Sequence, residues 1–202
     1  MSKANKSNKA IKYRLYPNDE QKVMFAKTFG CCRFVYNQLL ALQKQRYKDG
    51  ESHLSKLKSN EFATRTLKKD YDFLKEIDKF AVSNAVFHLA DAYDRFFKKQ
   101  NHFPKFKSKR KSKKSYTTNF TNNNILIGKN VIKLPKVGMV KAVIHKLPKD
   151  DWKLKSVTVS QDSVGNYFAS VLFEYEQEDI PSVSKSSTNA IGLDYKSDGL
   201  YM

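Results

Sequence analysis

The sequence contains few of the residues that form covalent or metal cross-links. Its 202 residues include two cysteines, which are adjacent at Cys31 and Cys32. Adjacent cysteines form neither a disulfide framework nor the C-x-x-C half of a zinc site. The four histidines are His53, His88, His102 and His145. They lack the spacing of metal ligands, so we expect no shared histidine metal site, and we expect both cysteines to be buried in a helix as small apolar side chains.

Long apolar runs are also lacking. No stretch approaches the roughly 20 apolar residues that a membrane-spanning helix needs. The N-terminal stretch MSKANKSNKAIKYRLYP has no apolar middle of the kind found in secretory signals. The sequence therefore favours a cytoplasmic protein without a membrane partner.

Acidic residues are scarce relative to basic ones. The chain has 38 Lys and Arg against 20 Asp and Glu, a formal net charge of +18. Such an excess repels itself unless a polyanion neutralises it, which favours nucleic acid as the partner. The charge is also uneven, since residues 98–114 hold nine Lys or Arg and no acid, whereas residues 162–184 hold five acids and no Lys or Arg. This asymmetry predicts a positive docking face.

Residues 98–114, KKQNHFPKFKSKRKSKK, are called the basic segment below. By composition the segment is either a solvated tail or a phosphate-contacting loop. Its place between two folded parts favours the loop. The candidate phosphate contacts are Lys105, Lys107, Lys109, Arg110, Lys111, Lys113 and Lys114. Two aromatic residues, Phe103 and Phe106, either stack on bases or pin the loop to the core.

The pattern before residue 120 predicts one strand followed by helices. Apolar residues alternate through 9–16, the period of a half-buried strand. Asn18 or Asp19 can cap a first helix, which extends to about residue 49 and which Gly30 can interrupt. Further helical stretches are predicted at 54–74 and 78–99, and the three together form a small bundle.

After residue 120 the pattern predicts short strands. They are expected at 125–127, 131–134, 139–144, 154–160 and 167–175. Turns are expected at 128–130, 135–138 and 163–166. The first strand can join these in a meander or small barrel, so the predicted fold class is α+β, with the helices inserted into a small β-barrel. Residues 177–189 read as a linker, and a new apolar strand is expected at 190–193.

Several segments together resemble the TnpB family, the RNA-guided DNA endonucleases of bacterial insertion sequences. The matching segments, in the order of the family, are KYRLYPNDEQ, FGCCRFVYNQLL, EIDKFAVSNAVFHLADAYDRFF, FPKFKSKRKSKKSYTTNF, TNNNILI, IKLPKVG and IGLDYKSDGLY. The resemblance covers nearly the whole chain. It implies guide RNA and target DNA as partners.

The resemblance also implies a domain organisation. Residues 1–17 and 108–176 would form a wedge β-barrel, with a helical recognition domain inserted at 18–107. After the linker at 177–189, residues 190–202 would begin a RuvC-like nuclease domain. The family's zinc module is not expected in this chain.

Three positions take roles from the resemblance. Lys79 and Thr121 lie where similar proteins approach a short DNA motif beside the target. The alternative without a function in binding is an ordinary surface lysine at Lys79 and a turn-capping threonine at Thr121. Asp194 resembles the first catalytic carboxylate, a ligand of Mg²⁺ in the full-length nuclease. Two-metal chemistry needs further carboxylates, so we expect this chain to be catalytically incomplete. The alternatives left open are a stand-alone, non-catalytic RNA- or DNA-binding protein and a small basic protein of ribosomal type.

Overall fold

The computed structural model describes residues 5–177, 194–196 and 199–201. A seven-stranded antiparallel sheet and a helical region form the folded part. The strands of the sheet are β1 (Asn5–Tyr16), β2 (Lys114–Asn119), β3 (Leu126–Ile127), β4 (Val131–Leu134), β5 (Gly138–Val143), β6 (Lys153–Gln161) and β7 (Tyr167–Gln177). A separate hairpin pairs β8 (Asp194–Lys196) with β9 (Gly199–Tyr201). The predicted linker at 177–189 and strand at 190–193 lie largely or wholly outside the described residues.

The helical region lies between β1 and β2. Its elements are α1 (Asp19–Lys48), α2 (Lys56–Glu61), a π-helical turn (Phe62–Leu67), α3 (Lys68–Asp70), a 3₁₀ turn (Asp72–Lys75) and α4 (Lys79–Phe97). The predicted first and third helices are confirmed. The predicted second helical stretch is also present, as unbroken helix over residues 56–70 with a π-helical segment in its middle, followed by the 3₁₀ turn. No helix in the described part of the chain is long and apolar enough to cross a bilayer.

Helix α1 begins with a reciprocal cap and continues past its glycine. The Asn18 side chain accepts from the Gln21 amide at 2.8 Å, and the Gln21 side chain accepts from the Asn18 amide at 3.1 Å, which is a capping box. The expected interruption at Gly30 is wrong. A helical glycine costs about 1 kcal/mol, and burial of the flanking Phe29 and Cys31 outweighs that cost.

Both cysteines are buried in α1, as expected. Burial raises the pKa of Cys31 to about 11 and that of Cys32 to about 12. The Cys32 thiol donates to the carbonyl of Ala81 in α4 at 3.3 Å. At neutral pH both side chains are therefore protonated thiols that pack between the helices.

Strand β1 occupies the centre of the sheet. It pairs with β7 on one side and with β5 on the other, antiparallel in both cases. Ile11, Tyr13 and Leu15 are buried, and Tyr13 lies opposite Ala169. The predicted alternation of β1, and its union with the later strands, are confirmed.

The sheet is open, so the expectation of a closed β-barrel is wrong. The strand order is β2-β6-β7-β1-β5-β4-β3, and within the described residues the two edge strands, β2 and β3, do not pair with each other. A barrel needs hydrogen bonding around its whole circumference. Strand β3 has only two residues, and its free side borders a cavity of about 700 Å³ lined in part by Phe120 and Trp152. The three turns predicted at 128–130, 135–138 and 163–166 do join paired strands.

Strand β2 was missed by the sequence patterns, which placed the first strand of this half after residue 120. Its segment KSYTTN pairs with β6, and it buries Tyr116 and Thr118 against the helical region. The lysines that precede it mask a short alternation of buried and exposed residues.

Helix α4 is fixed to β2 by a buried polar contact. Asp78 caps α4 by accepting from the Ala81 amide at 3.2 Å, and the same carboxylate oxygen accepts from the Thr118 hydroxyl at 2.7 Å. Thr118 is fully buried. Nearly two turns along α4, the Asn84 side chain donates to the carbonyl of Thr117 at 3.0 Å. A buried carboxylate without such partners would be strongly destabilising, so this contact determines how helix and strand align.

Replacing Thr118 with valine tests this contact, because valine keeps the shape and removes the hydroxyl. We expect the free energy of unfolding in urea to fall by about 1–3 kcal/mol, since the buried carboxylate loses a hydrogen bond without gaining water. Thr117→Val is the matched control. Its hydroxyl lies 2.8 Å from that of Thr158 in a partly exposed position, and its loss should cost less than about 1 kcal/mol. Equal losses in the two variants would contradict the role of Asp78.

Candidate nucleic-acid interface

The basic segment connects α4 to β2 and crosses α1 on the way. Residues 98–113 form neither helix nor strand. The segment is nevertheless held at several points by side chains of α1 and α4. The alternative of a free basic tail is therefore disfavoured, and most of its charged groups are presented from a fixed backbone.

The firmest attachment is a two-way hydrogen bond to the middle of α1. The Asn37 side chain donates to the Lys107 carbonyl at 2.9 Å and accepts from the Lys107 amide at 2.8 Å. An amide side chain that pairs in this way with one backbone residue substitutes for a strand partner. It fixes the path of the basic segment at Lys107.

The Lys107 side chain lies against the protein instead of extending into water. Its ammonium is 4.0 Å from the centre of the Tyr36 ring, and the residue is partly buried. Burial lowers the pKa of this ammonium below its ordinary value. Contact with an aromatic face compensates in part for the water that the cation has lost.

The aromatic residues of the basic segment have different environments. Phe103 makes edge contacts with Tyr93 and Phe96 of α4, at ring-centre distances of 5.6 and 5.2 Å, so it pins the loop. Phe106 is 53% exposed, and the Lys44 ammonium lies 4.9 Å from its ring. Of the two, Phe106 has the more accessible face for stacking on a base.

A compact turn presents the central cations to solvent. The Ser112 hydroxyl accepts from the Ser108 amide at 2.9 Å, and the Ser108 hydroxyl accepts from the Lys111 amide at 3.0 Å. Lys109, Arg110 and Lys111 are exposed on this turn. Two further exposed lysines, Lys105 and Lys113, lie on either side of it, and the Lys114 ammonium donates to Gln161 at 3.1 Å. All seven predicted phosphate contacts therefore lie on one short stretch of anchored backbone.

Lys79 lies apart from the basic segment, at the start of α4. It is exposed, and its ammonium is 5.0 Å from the centre of the Phe80 ring. Burial lowers the pKa of nearby Lys68, an effect that Asp78 opposes. The positive charges of Lys79 and Lys136 add to the lowering. Lys79 thus belongs to a second basic cluster, built from the start of α4, α3 and the β4–β5 turn.

Thr121 begins a tight turn beyond β2. Asn122 and Asn123 have φ of 47° and 55°, and the Asn124 amide donates to the Thr121 carbonyl at 3.0 Å. The Asn124 side chain accepts from the Thr121 amide at 2.8 Å. These angles are those of a type I′ turn, for which asparagine is favoured. Thr121 therefore takes part in the turn through its backbone carbonyl and amide.

Several residues that border the basic segment were not identified from the sequence as part of a nucleic-acid interface. A cavity of about 650 Å³ between the ends of α1 and α4 is lined by the aromatic residues Tyr47, Tyr93, Phe96, Phe97 and Phe103 and by Lys44 and Lys48. Tyr47 is 85% exposed and Phe97 63% exposed. The helical spacing of Lys44, Tyr47 and Lys48 was a usable signal. The cavity adjoins the basic segment through Phe103, so cations and accessible rings occur side by side.

Three curated proteins show what the chain is similar to. A putative RNA-guided DNA endonuclease of Streptomyces pristinaespiralis is 30% identical over 188 residues, which are 92% of this chain and 45% of that protein. The putative RNA-guided DNA endonuclease InsQ of Escherichia coli K12 is 29% identical over 192 residues, 92% of this chain and 44% of InsQ. The virulence protein VsdF of Salmonella dublin is 32% identical over 111 residues, 50% of this chain and 93% of VsdF.

A domain family also matches, the helix-turn-helix domain of IS605 OrfB proteins, over residues 7–52. This chain belongs to the TnpB family. It corresponds to the N-terminal portion of TnpB proteins, and it spans less than half the length of the two endonuclease relatives.

The matched residues of this TnpB chain do not form two helices joined by a turn. Residues 7–52 contain most of β1 and the whole of α1, which is one continuous helix of 30 residues. The next helix, α2, begins at Lys56. The match therefore supports nucleic-acid binding by family membership, whereas the positive surface itself comes from the basic segment.

Asp194, the candidate catalytic residue and Mg²⁺ ligand of this TnpB chain, is the first residue of β8 and pairs with Tyr201 in β9. In the part of the chain that the structure describes, no three His, Cys, Asp or Glu residues come together as a metal site. A single carboxylate does not fit a two-metal centre. The described residues therefore do not supply a two-metal centre.

The Asn37 contact predicts how firmly the basic segment of this TnpB chain is held. Replacing Asn37 with alanine removes both hydrogen bonds to Lys107, and we expect the Lys107 amide to exchange with deuterium at least about tenfold faster, since each lost bond is worth about 1 kcal/mol. Hydrogen exchange with mass spectrometry measures the rate. Gln45→Ala is the control, because Gln45 contacts exposed Asp49 elsewhere on α1. Unchanged exchange at Lys107 in the Asn37 variant would show that the segment is held by other contacts.

Proposed function

We propose that this chain is the nucleic-acid-binding portion of a transposon-associated, RNA-guided DNA endonuclease. In this proposal the chain binds guide RNA and target DNA in the cytoplasm. Family membership supports the class of protein. The observation that carries the proposal is the basic segment, a run of cations without an acid that is anchored between α1 and β2.

An anchored segment is well suited to a nucleic-acid backbone. Its cations are presented on backbone that Asn37, the Phe103 contacts and the turn at 108–112 have already ordered. Binding then costs less conformational entropy than it would for a free tail. Each phosphate that a cation neutralises releases condensed counterions, so the affinity should fall steeply with salt.

The second basic cluster supports a separate contact with DNA. Lys79 lies at the exposed start of α4, and Thr121 begins the turn after β2, the strand fixed to α4 by Asp78. A lysine can contact phosphate or a guanine edge, and a threonine offers a hydroxyl and a methyl to a groove. We assign both to the reading of a DNA motif beside the target.

Catalysis is assigned to the full-length protein. Asp194 would supply one carboxylate to a Mg²⁺ centre, which would polarise the phosphodiester and activate a water molecule. The remaining ligands would come from other acidic residues. Our proposal gives this chain the binding role.

The proposed RNA contact predicts a strong salt dependence. For about six phosphate contacts, the slope of log K against log salt should be roughly −4 to −5. Fluorescence anisotropy with a labelled structured RNA between about 50 and 200 mM salt measures it. A slope near zero would reject the phosphate-contact assignment.

A variant without the exposed cations of the basic segment tests whether these residues cause the salt dependence. Replacing the exposed cations Lys105, Lys109, Arg110, Lys111 and Lys113 with glutamine should remove most of the slope, while the melting temperature stays nearly unchanged because these side chains are exposed. The matched control replaces an equal number of exposed lysines outside the segment: Lys58, Lys129, Lys133, Lys146 and Lys149. Equal reductions would mean that net charge matters and location does not.

Lys79→Ala separates DNA reading from RNA binding. In a full-length protein assembled with guide RNA, we expect it to weaken binding of the target-adjacent DNA motif by about 5- to 150-fold, corresponding to about 1–3 kcal/mol for a base contact. The change in affinity for guide RNA should be less than about threefold. Gel-shift titrations with each ligand measure both effects. Equal losses would identify Lys79 as a general electrostatic contact.

A further inference from the structure

A small polar cavity lies where α1, α4, the basic segment and β2 meet. Its volume is about 50 Å³, room for about three or four water molecules or one small polyatomic ion. Apolar side chains of α1 and α4 border it together with Arg33, Lys107, Lys113 and Lys114. Four basic residues thus line a space of the size of one anionic group.

The described residues that line the cavity do not balance this charge. The lining also includes His88 and small hydroxyl residues such as Ser112 and Ser115, and no Asp or Glu is among the described residues that line the cavity. Burial lowers the pKa of His88, and the positive charge of Lys107 lowers it further. Asp91 acts in the opposite direction, but its carboxylate already lies 3.5 Å from the Lys56 ammonium.

Lys107 is held in this position although burial disfavours its charged form. Its backbone is fixed by Asn37 and its ammonium lies over the Tyr36 ring. A partly buried cation is unfavourable unless an anion compensates for the water that it has lost. A tetrahedral oxyanion would supply that compensation, because it offers several acceptor oxygens to converging donors.

We infer that this cavity binds one phosphate group of the nucleic-acid backbone, with Arg33 and Lys107 as its main ligands and Lys113 and Lys114 beside them. The inference rests on the proposed function and makes it more specific. A guanidinium can bind a phosphate through two parallel hydrogen bonds, and lysine adds a point charge. One phosphate held in a cavity would set the register of the strand, whereas the exposed cations of the turn would attract the backbone without fixing it.

The first test compares cavity cations with exposed cations of equal charge. We expect Arg33→Gln and Lys107→Met each to weaken binding of a short single-stranded RNA by about tenfold or more, the value of a charge-assisted hydrogen bond. Lys109→Gln and Lys111→Gln, on the exposed turn, should each weaken it less than about fivefold. Fluorescence anisotropy at fixed salt measures all four. Equal losses in the four variants would overturn the inference.

The second test uses inorganic phosphate alone and does not depend on RNA. The wild-type chain should broaden the ³¹P resonance of inorganic phosphate, Lys107→Met should not, and added RNA should displace the phosphate and narrow the line. If the phosphate resonance broadens but the chain does not bind RNA, the proposed function is rejected and the cavity is a site for a free anion. RNA binding without phosphate broadening would leave the proposed function standing and overturn the cavity as its phosphate site.

The melting temperature of Lys107→Met distinguishes a loss of binding from a loss of folding. Methionine is unbranched and only one atom shorter than lysine, and its thioether packs well on an aromatic ring, so it can cover Tyr36 while removing the charge. In buffer without phosphate, Lys107→Met should therefore melt no lower than the wild type. Added inorganic phosphate should raise the melting temperature of the wild type and not that of the variant. An equal rise in both proteins would place the anion elsewhere.

Discussion

The contact of Asp78 with Thr118 is the constraint on which the interface depends. It caps α4 and fixes the helix to β2, so both ends of the basic segment have determined positions. Helix α4 is about 28 Å long, at 1.5 Å per residue, and β2 begins beside its middle, near His88. The chain that joins them must turn back along α4, and that return brings it across α1, where Asn37 holds it.

The charge of this segment is therefore concentrated by the fold as well as by composition. A free basic tail would spread its cations and reduce their repulsion. Here the anchored backbone brings Lys107, Lys113 and Lys114 beside Arg33 of α1, with aromatic rings of the neighbouring cavity close by. A polyanion relieves the repulsion, and membership of the TnpB family supports nucleic acid as that polyanion. The open edge of the sheet, in contrast, borders a cavity in which apolar residues predominate.

The sequence predicted the strands and helices that show a clear hydrophobic pattern over neighbouring residues. The alternation of Ile11, Tyr13 and Leu15 marked β1, and turn residues separated the later strands. Strand β2 was not predicted because the lysines before it resemble a loop. The open sheet was not predictable either, because closure depends on pairing between strands that are distant in the sequence. The basic segment was visible as composition. Arg33 was not, since its relation to Lys107 exists only after α1 and the segment meet in space.

Ultraviolet cross-linking of a bound RNA, followed by mass spectrometry of the cross-linked peptides, tests the central claim most directly. The account predicts cross-links in the basic segment, above all at Phe106, and in the facing parts of α1 and α4, including Tyr47 and Phe97. Residues of the open sheet edge, such as Leu126 and Trp152, should remain free of RNA. Cross-links confined to that edge, with none between residues 98 and 114, would contradict the account.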